Sequence, residues 1–194
     1  MASMQEKIIR EAQGLVRRGG LRVLTYDALA ARLGVTKQAV LYWFPKKPLL
    51  LAALAEPAFA AEAEAVEAAV RQAGPGQAVA AAVQGIVEFH LADLDRFRLI
   101  YLAPQSGQAG SRVRMPEEVQ ARIHAQNARM YGAIAAALGP GPEAMERAIA
   151  LHMSALGVVL VHALTEQIGD ESYAAIPDMG AVLGGIWTRG NADG

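Results

Sequence analysis

Apolar residues in the first 50 positions recur at spacings of three and four, which is the period of short amphipathic helices. The first stripe consists of Ile8, Ile9, Ala12, Leu15 and Val16. It stops at Gly19 and Gly20, and glycine after a periodic stretch is typical of a helix C-terminus. We therefore predict a first helix that ends near Gly19.

Two further short helices follow, and each begins at a threonine. Thr25 and Thr36 precede periodic stretches, and a threonine hydroxyl at such a position accepts a hydrogen bond from a free backbone N–H of the first turn. Gly34 ends the second helix. The third should end at about Trp43, because Pro45 disfavours helical geometry at the residue before it. The pattern predicts a pair of short helices joined across a glycine.

The paired helices fit the apolar pattern of a helix-turn-helix. In that motif the helices cross steeply, so a small residue must lie where they touch, and glycine suits the turn. Ala30 provides the small contact and Gly34 the turn. Large apolar residues hold the other inward positions: Leu29, Leu33, Val35, Val40 and Trp43. The third helix then turns its polar N-terminal residues outward, where this motif reaches base edges of DNA.

Helical periodicity continues to the end of the chain, and the alternation typical of strands is almost absent. We expect a long fourth helix from Lys47 to Ala73, bent at Pro57 because an interior proline removes one hydrogen bond. This bend is either static or a hinge. Later helices are predicted around the stripe Val79, Val83, Ile86 and His90, and at about 96–102, 116–138, 142–169 and 178–189, with a surface loop over 104–116. These elements predict an all-α fold of about nine helices.

Charge is divided unevenly along the chain, although the net charge is only −1. The first 50 residues carry nine Lys and Arg against three Asp and Glu, whereas the remainder carries nine basic and sixteen acidic residues. This division favours an N-terminal module for a polyanion, although basic faces are often merely solvated. The absence of cysteine excludes disulfides and cysteine chemistry. The N-terminus does not resemble a secretory signal, and no apolar run reaches the roughly 18 residues of a membrane span, so we expect a cytoplasmic protein.

The stretch LTYDALAARLGVTKQAVLYWFPKKPLLLAAL, residues 24–54, resembles the DNA-binding signature of the tetracycline-repressor (TetR) family, including its Leu-Tyr-aromatic-Phe-Pro-x-Lys segment. The resemblance implies a homodimeric transcriptional regulator, usually a repressor, whose larger C-terminal domain binds a small molecule that lowers operator affinity. We expect a palindromic operator and, from the polarity of the predicted pocket, a mostly hydrophobic effector. The resemblance also implies a helix-turn-helix DNA-binding domain over residues 1–46 and a helical effector-binding and dimerisation domain over residues 47–194. In one departure from the family, Lys46 and Pro48 flank Lys47, which should strengthen a phosphate contact.

Seven side chains are candidate contacts to double-stranded DNA. Lys37 and Gln38 are assigned to base edges together with Thr36, because lysine donates to guanine O6 or N7 and glutamine pairs with adenine. Phosphate contacts are assigned to Thr25, Tyr42, Lys46 and Lys47. Lys47 stands at a helix start, where free N–H groups and the helix dipole favour an anion. The alternative is that the lysines are solvated surface charges and Tyr42 is a core residue.

Polar residues on apolar faces are candidates for an effector pocket, because such pockets are mostly apolar with a few placed polar groups. The predicted effector site consists of His90, Tyr101, Asn127, Tyr131 and His152. Each of these could instead be a satisfied core or surface residue. The four histidines lack the i, i+4 spacing of a helical metal site and no acidic cluster accompanies them, so we expect neither metal nor cofactor.

The predicted helix over 142–169 is apolar on two sides and must therefore be covered on both. Its second face is expected to meet a second copy of the chain, through Leu151, Ala155, Val158 and His162. The last helix should complete a two-fold four-helix contact with Val182, Leu183 and Ile186. The alternative is a helix that lies centrally in a monomer.

Three classes of function remain at this stage. The leading prediction is a ligand-responsive DNA-binding dimer, in which the effector changes the spacing of two recognition helices. The second is a helical DNA-binding dimer without an effector. The third, a helical enzyme, is disfavoured, because the sequence holds no nucleophile elbow, paired-carboxylate motif, phosphate loop or metal signature. The sequence does not determine the effector, the operator or the sign of regulation.

Overall fold

The computed structural model describes residues 2–102, 117–166 and 176–192, and all regular structure in these ranges is helical. The α-helices are α1 (Met4–Gly19), α2 (Tyr26–Leu33), α3 (Lys37–Trp43), α4 (Lys47–Gln72), α5 (Ala78–Leu91), α6 (Leu94–Phe97), α7 (Glu117–Leu138), α8 (Ala144–Thr165) and α9 (Ile176–Ala192). The all-α fold class is confirmed, with nine α-helices in the described ranges.

Most predicted helices agree with these bounds to within a few residues. The exception is the helix expected over 96–102, which is instead the short α6 followed by a π-helical turn, Arg98–Leu102. α4 runs on through Pro57, and the bend or hinge predicted there stays a prediction. The loop expected over 104–116 and the helix end expected at Gly169 lie outside the described residues.

The chain divides into two compact units by packing. The first unit comprises Met1–Phe59 and Asp95–Ile123, and the second comprises Ala60–Leu94 and His124–Gly194. α4 contributes its N-terminal half to the first unit and its C-terminal half to the second. The functional boundary predicted between residues 46 and 47 is a different division, and it stays a prediction.

The first unit buries one face of each of its N-terminal helices. Its buried apolar side chains include Ile8, Ala12, Leu24, Leu29, Val40, Phe44, Leu50 and Leu54. The inward position predicted for Trp43 is wrong, because Trp43 is 41% exposed; Phe44, which was also expected to pack inward, is buried. The reason is that α3 ends at Trp43. Phe44 has a non-helical backbone (φ −130°, ψ 78°), and its side chain enters the core.

In the second unit α5 packs against α8 and α9, and Gly85 of α5 lies against Ala69 of α4. The predicted stripe on α5 is buried as expected, since Val79, Val83, Ile86 and His90 all lie inside. α5 and α9 approach closely at Gly184, where an added Cβ would lie only 3.2 Å from the Cα of Ala80. A glycine is needed there because a side chain would force the two helices apart.

α8 corrects one expectation about membrane spans. By length and composition it is apolar enough to cross a membrane, the one such helix among the described residues, and 33% of its apolar window is buried inside the protein. The core helix of a soluble protein meets the same criterion. The expectation that no segment is long and apolar enough to span a membrane was therefore wrong for α8, by length and composition.

Candidate nucleic-acid interface and buried polar cluster

Side-chain caps hold the two helices of the candidate DNA-binding motif. The hydroxyl of Thr25 accepts a hydrogen bond from the Ala28 N–H at 3.0 Å, and that of Thr36 accepts one from the Ala39 N–H at 3.2 Å. Gly34 lies between the helices at φ 66°, a left-handed conformation that favours glycine. Each capping hydroxyl still has its own O–H, which can be donated to a phosphate or a base.

All seven side chains predicted to contact DNA are exposed. Tyr42 is 80% exposed, which rules out the alternative that it is a core residue. On the opposite face of α3, Val40 is fully buried. The helix is therefore held from one side by the core and presents its N-terminal residues to solvent. The assignment of individual residues to bases and phosphates stays a prediction.

Tyr26 fixes the end of α3, a contact that sequence reasoning missed. Its hydroxyl donates to the backbone carbonyl of Phe44 at 2.9 Å, across 18 residues of sequence. Burial raises the pKa of Tyr26, so the hydroxyl keeps its proton. The bond links the first residue of α2 to the backbone immediately after α3. The only signal in the sequence is a tyrosine at the first position of a helix, which is too common to have been informative.

Two exposed ion pairs lie among the N-terminal helices. The ammonium of Lys37 donates to Asp27 Oδ2 at 2.9 Å, and the guanidinium of Arg32 donates to Glu11 Oε2 at 2.7 Å. Surface ion pairs of this kind contribute little stability. The first pair nevertheless involves a predicted base-reading residue.

Four polar side chains meet inside the otherwise apolar second unit, and we call them the Glu62 cluster: Glu62, His90, Tyr131 and His152. Glu62 Oε1 lies 2.9 Å from Nε2 of His90 and 2.9 Å from Nε2 of His152. The Tyr131 hydroxyl lies 3.0 Å from Nδ1 of His152. Glu62 and His90 are at most 1% exposed, and His152 is 4% exposed. The structure thus brings together three of the five predicted effector residues around a carboxylate that was not predicted.

The geometry assigns protons within the Glu62 cluster. An ionised carboxylate only accepts hydrogen bonds, so both imidazoles donate from Nε2 to Glu62 Oε1. Burial alone would raise the pKa of Glu62, but the hydrogen bonds and charges of His152 and His90 outweigh it and lower the pKa to about 2. Burial, followed by the charge of Glu62, raises the pKa of Tyr131. The Tyr131 hydroxyl therefore keeps its proton and is not an activated nucleophile.

The other two predicted effector residues lie elsewhere. Tyr101 belongs to the first unit, where its ring packs against Phe97 and Phe59 with centroids 5.4 Å and 6.2 Å away. Asn127 is half-buried on α7. An open groove of about 560 Å³ lies in the second unit between α5 and α9, and none of the five predicted residues lines it. Among the described residues, no group of three His, Asp or Glu side chains is placed to hold a metal ion.

Among the described residues of the second unit, the exposed large apolar side chains lie on α8 and α9, and we call seven of them the α8–α9 face. Its side chains are between 36% and 65% exposed: Met153, Leu160, Val161, Leu164, Met179, Val182 and Ile186. Of the residues predicted at the dimer contact, Val182 and Ile186 are exposed on this face. Three others are half-buried: Val158, His162 and Leu183.

Two residues of the predicted dimer contact are corrections. Leu151 and Ala155 are fully buried in the core of their own unit and cannot meet a second copy. Since α8 is apolar all round, its periodicity did not reveal which side the protein itself would cover.

Comparison with known proteins bears on the fold. No protein-family model matches the chain, and no curated protein matches its sequence. A protein of unknown function from Rhodococcus sp. RHA1 matches with a TM-score of 0.68 at 23% identity, over 98% of this chain and 95% of that one. SCO4313, provisionally described as a regulatory protein, matches with a TM-score of 0.66 at 18% identity over the same shares, 98% and 95%.

A third solved structure carries the name of a family. It is a protein from Shewanella sp. PV-4, provisionally described as a TetR family transcription regulator, and it matches with a TM-score of 0.56 at 16% identity over 94% of this chain and 96% of that one. The chain therefore has a TetR-like fold along nearly its whole length. The all-helical fold implied by the sequence resemblance is confirmed.

Proposed function

We propose that the protein is a DNA-binding transcriptional regulator of the TetR type, which places α3 in the major groove of a double-stranded operator. The proposal is carried by one observation: Thr36, Lys37 and Gln38 are exposed at the start of a capped helix that Val40 holds from behind. The fold is shared with proteins provisionally described as regulators. The basic charge of the first 50 residues supplies the sequence-independent attraction to phosphates.

The regulator acts as a homodimer that pairs through the α8–α9 face. Seven apolar side chains are exposed on two helices that pack against each other, and exposed apolar side chains collected in this way favour an interaction site. Gly157 lies on the same side of α8 with open space around its Cβ position, which permits close approach of a second helix. A two-fold dimer presents two copies of α3, which fit half-sites about 34 Å apart in a palindromic operator.

We further propose that a small, mostly hydrophobic effector binds the second unit and releases the operator, so that the protein is a cytoplasmic repressor. Support comes from the Glu62 cluster, because an ionised carboxylate inside an apolar core costs free energy that an all-apolar core would avoid. An effector acts only if it prefers the conformation of the dimer that does not fit the operator.

A second candidate function is a DNA-binding dimer without an effector. It is favoured by the three hydrogen bonds of 2.9–3.0 Å that join the members of the Glu62 cluster to one another, because such bonds hold these side chains in place without a ligand. A screen of a small-molecule library for release of the operator, followed by the same assay on His152→Ala, separates the two candidates. In the effector-responsive regulator this variant binds the operator normally and loses its response to the ligand that releases the wild type. In the alternative, no member of a small-molecule library releases the wild type.

An enzyme is the less supported reading. Tyr131, His152 and Glu62 are ordered like a proton relay, but the raised pKa of Tyr131 keeps its hydroxyl protonated.

Selection of duplexes from a random pool with the full chain at low ionic strength tests the proposed function. We expect enrichment of a palindrome, and Gln38→Ala should change preference at one base position in each half-site. Gln72→Ala, an exposed glutamine at the end of α4, is the matched control and should select the wild-type sequence. A well-folded protein that enriches no duplex would contradict the proposal.

A further inference from the structure

Lys37, the proposed reader of guanine, is held by a carboxylate from the neighbouring helix. Asp27 lies in the first turn of α2 and Lys37 is the first residue of α3, and Nζ of the lysine is 2.9 Å from Oδ2 of the aspartate. The pair therefore crosses the turn of the candidate DNA-binding motif. Asp27 is 71% exposed and Lys37 is 46% exposed, so neither side chain belongs to the core.

A lysine at the start of a recognition helix has two disadvantages as a base reader. Its stem is flexible, so ordering it on binding costs conformational entropy. Its ammonium is a compact charge that binds phosphates and bases alike, unlike the planar fork of arginine. A fixed partner addresses both points, because it restricts the rotamers of the stem and directs the ammonium.

The ammonium of Lys37 has enough hydrogen-bond donors to keep its ion pair with Asp27 while it contacts DNA. Lysine has three N–H donors, so one can remain on Asp27 while two are offered to O6 and N7 of a guanine. The aspartate itself is stabilised by the dipole at the N-terminus of α2. Its negative charge also repels phosphates from the same region, which disfavours sequence-independent binding.

We propose that Asp27 is a specificity-determining residue of this regulator, which positions Lys37 on a base edge and keeps it off the phosphates. The inference rests on the proposed function, because it needs α3 to enter DNA. It assigns to Asp27 an effect on base preference and on sequence-independent binding rather than on folding.

The chain provides a matched control. Glu11 pairs with Arg32 at 2.7 Å, with side chains that are 32% and 40% exposed. Glu11→Gln removes one negative charge from the same unit and breaks an ion pair without touching Lys37. It therefore separates the positioning of Lys37 from a general change in charge.

The experiment compares wild type, Asp27→Asn, Asp27→Glu and Glu11→Gln in duplex selection and in binding titrations over a range of salt concentrations. For Asp27→Asn we expect discrimination at the guanine read by Lys37 to fall by about two- to tenfold, as when one side chain is no longer pre-ordered. Binding to random duplex should tighten, and the salt dependence should steepen by about one counterion as Lys37 moves to a phosphate. Asp27→Glu should restore part of the preference, and Glu11→Gln should keep the wild-type preference.

A double variant makes the assignment specific. In the Lys37→Ala background, Asp27→Asn should cause no further change in base preference, because the side chain that it positions is gone. The proposal is overturned if Asp27→Asn keeps the wild-type preference at every position, if it changes preference equally without Lys37, or if Glu11→Gln has the same effect. If the wild type itself enriches no duplex, the proposed function fails and this proposal fails with it.

Discussion

The Glu62 cluster yields the sharpest prediction, which concerns the free energy of unfolding of Glu62→Gln. The amide oxygen of glutamine can still accept hydrogen bonds from His90 and His152, so the fold should be retained. The hydrogen bonds are no longer charge-assisted. We therefore expect the unfolding free energy at pH 7 to fall by about 1–3 kcal/mol.

The pH dependence follows from the pKa of Glu62. Although burial opposes it, the two histidines lower the pKa from 4.5 in the unfolded chain to about 2 in the folded protein. A carboxyl group with a lowered folded-state pKa stabilises the fold fully above its unfolded value and loses that contribution as pH falls toward the folded value. The contribution of Glu62 is therefore present above about pH 4.5 and is lost toward pH 2. It amounts to about 3 kcal/mol in total, of which about 2 kcal/mol is lost by pH 3.

The assay is urea unfolding followed by circular dichroism at pH 7, 5 and 3, at one protein concentration because a dimer is stabilised by mass action. The gap in unfolding free energy between wild type and Glu62→Gln should narrow by about 2 kcal/mol between pH 5 and pH 3. Glu64→Gln is the control, since Glu64 is exposed on the same helix and the charge change is equal. A gap that stays constant with pH, or that narrows equally for the control, would refute the reasoning.

Three other predictions concern DNA binding and assembly. Lys47→Ala should weaken binding to all duplexes about equally and reduce the salt slope by about one, and an unchanged slope in titrations would remove Lys47 from the phosphate contacts. Tyr26→Phe loses the hydrogen bond to Phe44 and should lower the free energy of unfolding by about 1 kcal/mol, as measured by calorimetry. It should also weaken discrimination between DNA sequences more than affinity for random duplex, as measured by duplex selection. Discrimination equal to that of the wild type would show that the bond does not orient α3. Leu164→Asp introduces a charge into the α8–α9 face and should convert dimers into folded monomers in analytical ultracentrifugation. Gln72→Asp, at an exposed position at the end of α4, should not. A dimer in both variants would place the interface elsewhere.

Local signals in the sequence were sufficient for the helix-turn-helix. Thr25 and Thr36 cap their helices, and Gly34 turns between them, because each acts through backbone groups within a few residues. The same holds for the stripe on α5, which is buried on the face that its period predicts. Where the chain leaves the helix, the prediction failed for Trp43, which is 41% exposed, while Phe44 is buried as expected.

The polar site could be predicted only in part. His90 and His152 were found because each is polar on an apolar stripe, and Tyr131 because it lies near one. Glu62 lies on the same kind of stripe, with Ala55, Ala58 and Val66 at helical spacing, so a signal existed and was missed. Its partners lie 28 and 90 residues away in sequence, and no local pattern links them.

The sequence by itself determined the helices, their caps and the outward residues of α3, because hydrogen bonds and side-chain periodicity act within a turn or two. Only the tertiary structure decided which face of α8 is covered, so Leu151 and Ala155 lie in the core while Leu160 and Leu164 are exposed. It also decided that Glu62 is ionised between two imidazoles and that Asp27 holds Lys37. The physical reason is the same in each case, because burial and charge pairing depend on segments that are distant in sequence. The sequence of a helix that is apolar on every side does not indicate which side its neighbours cover.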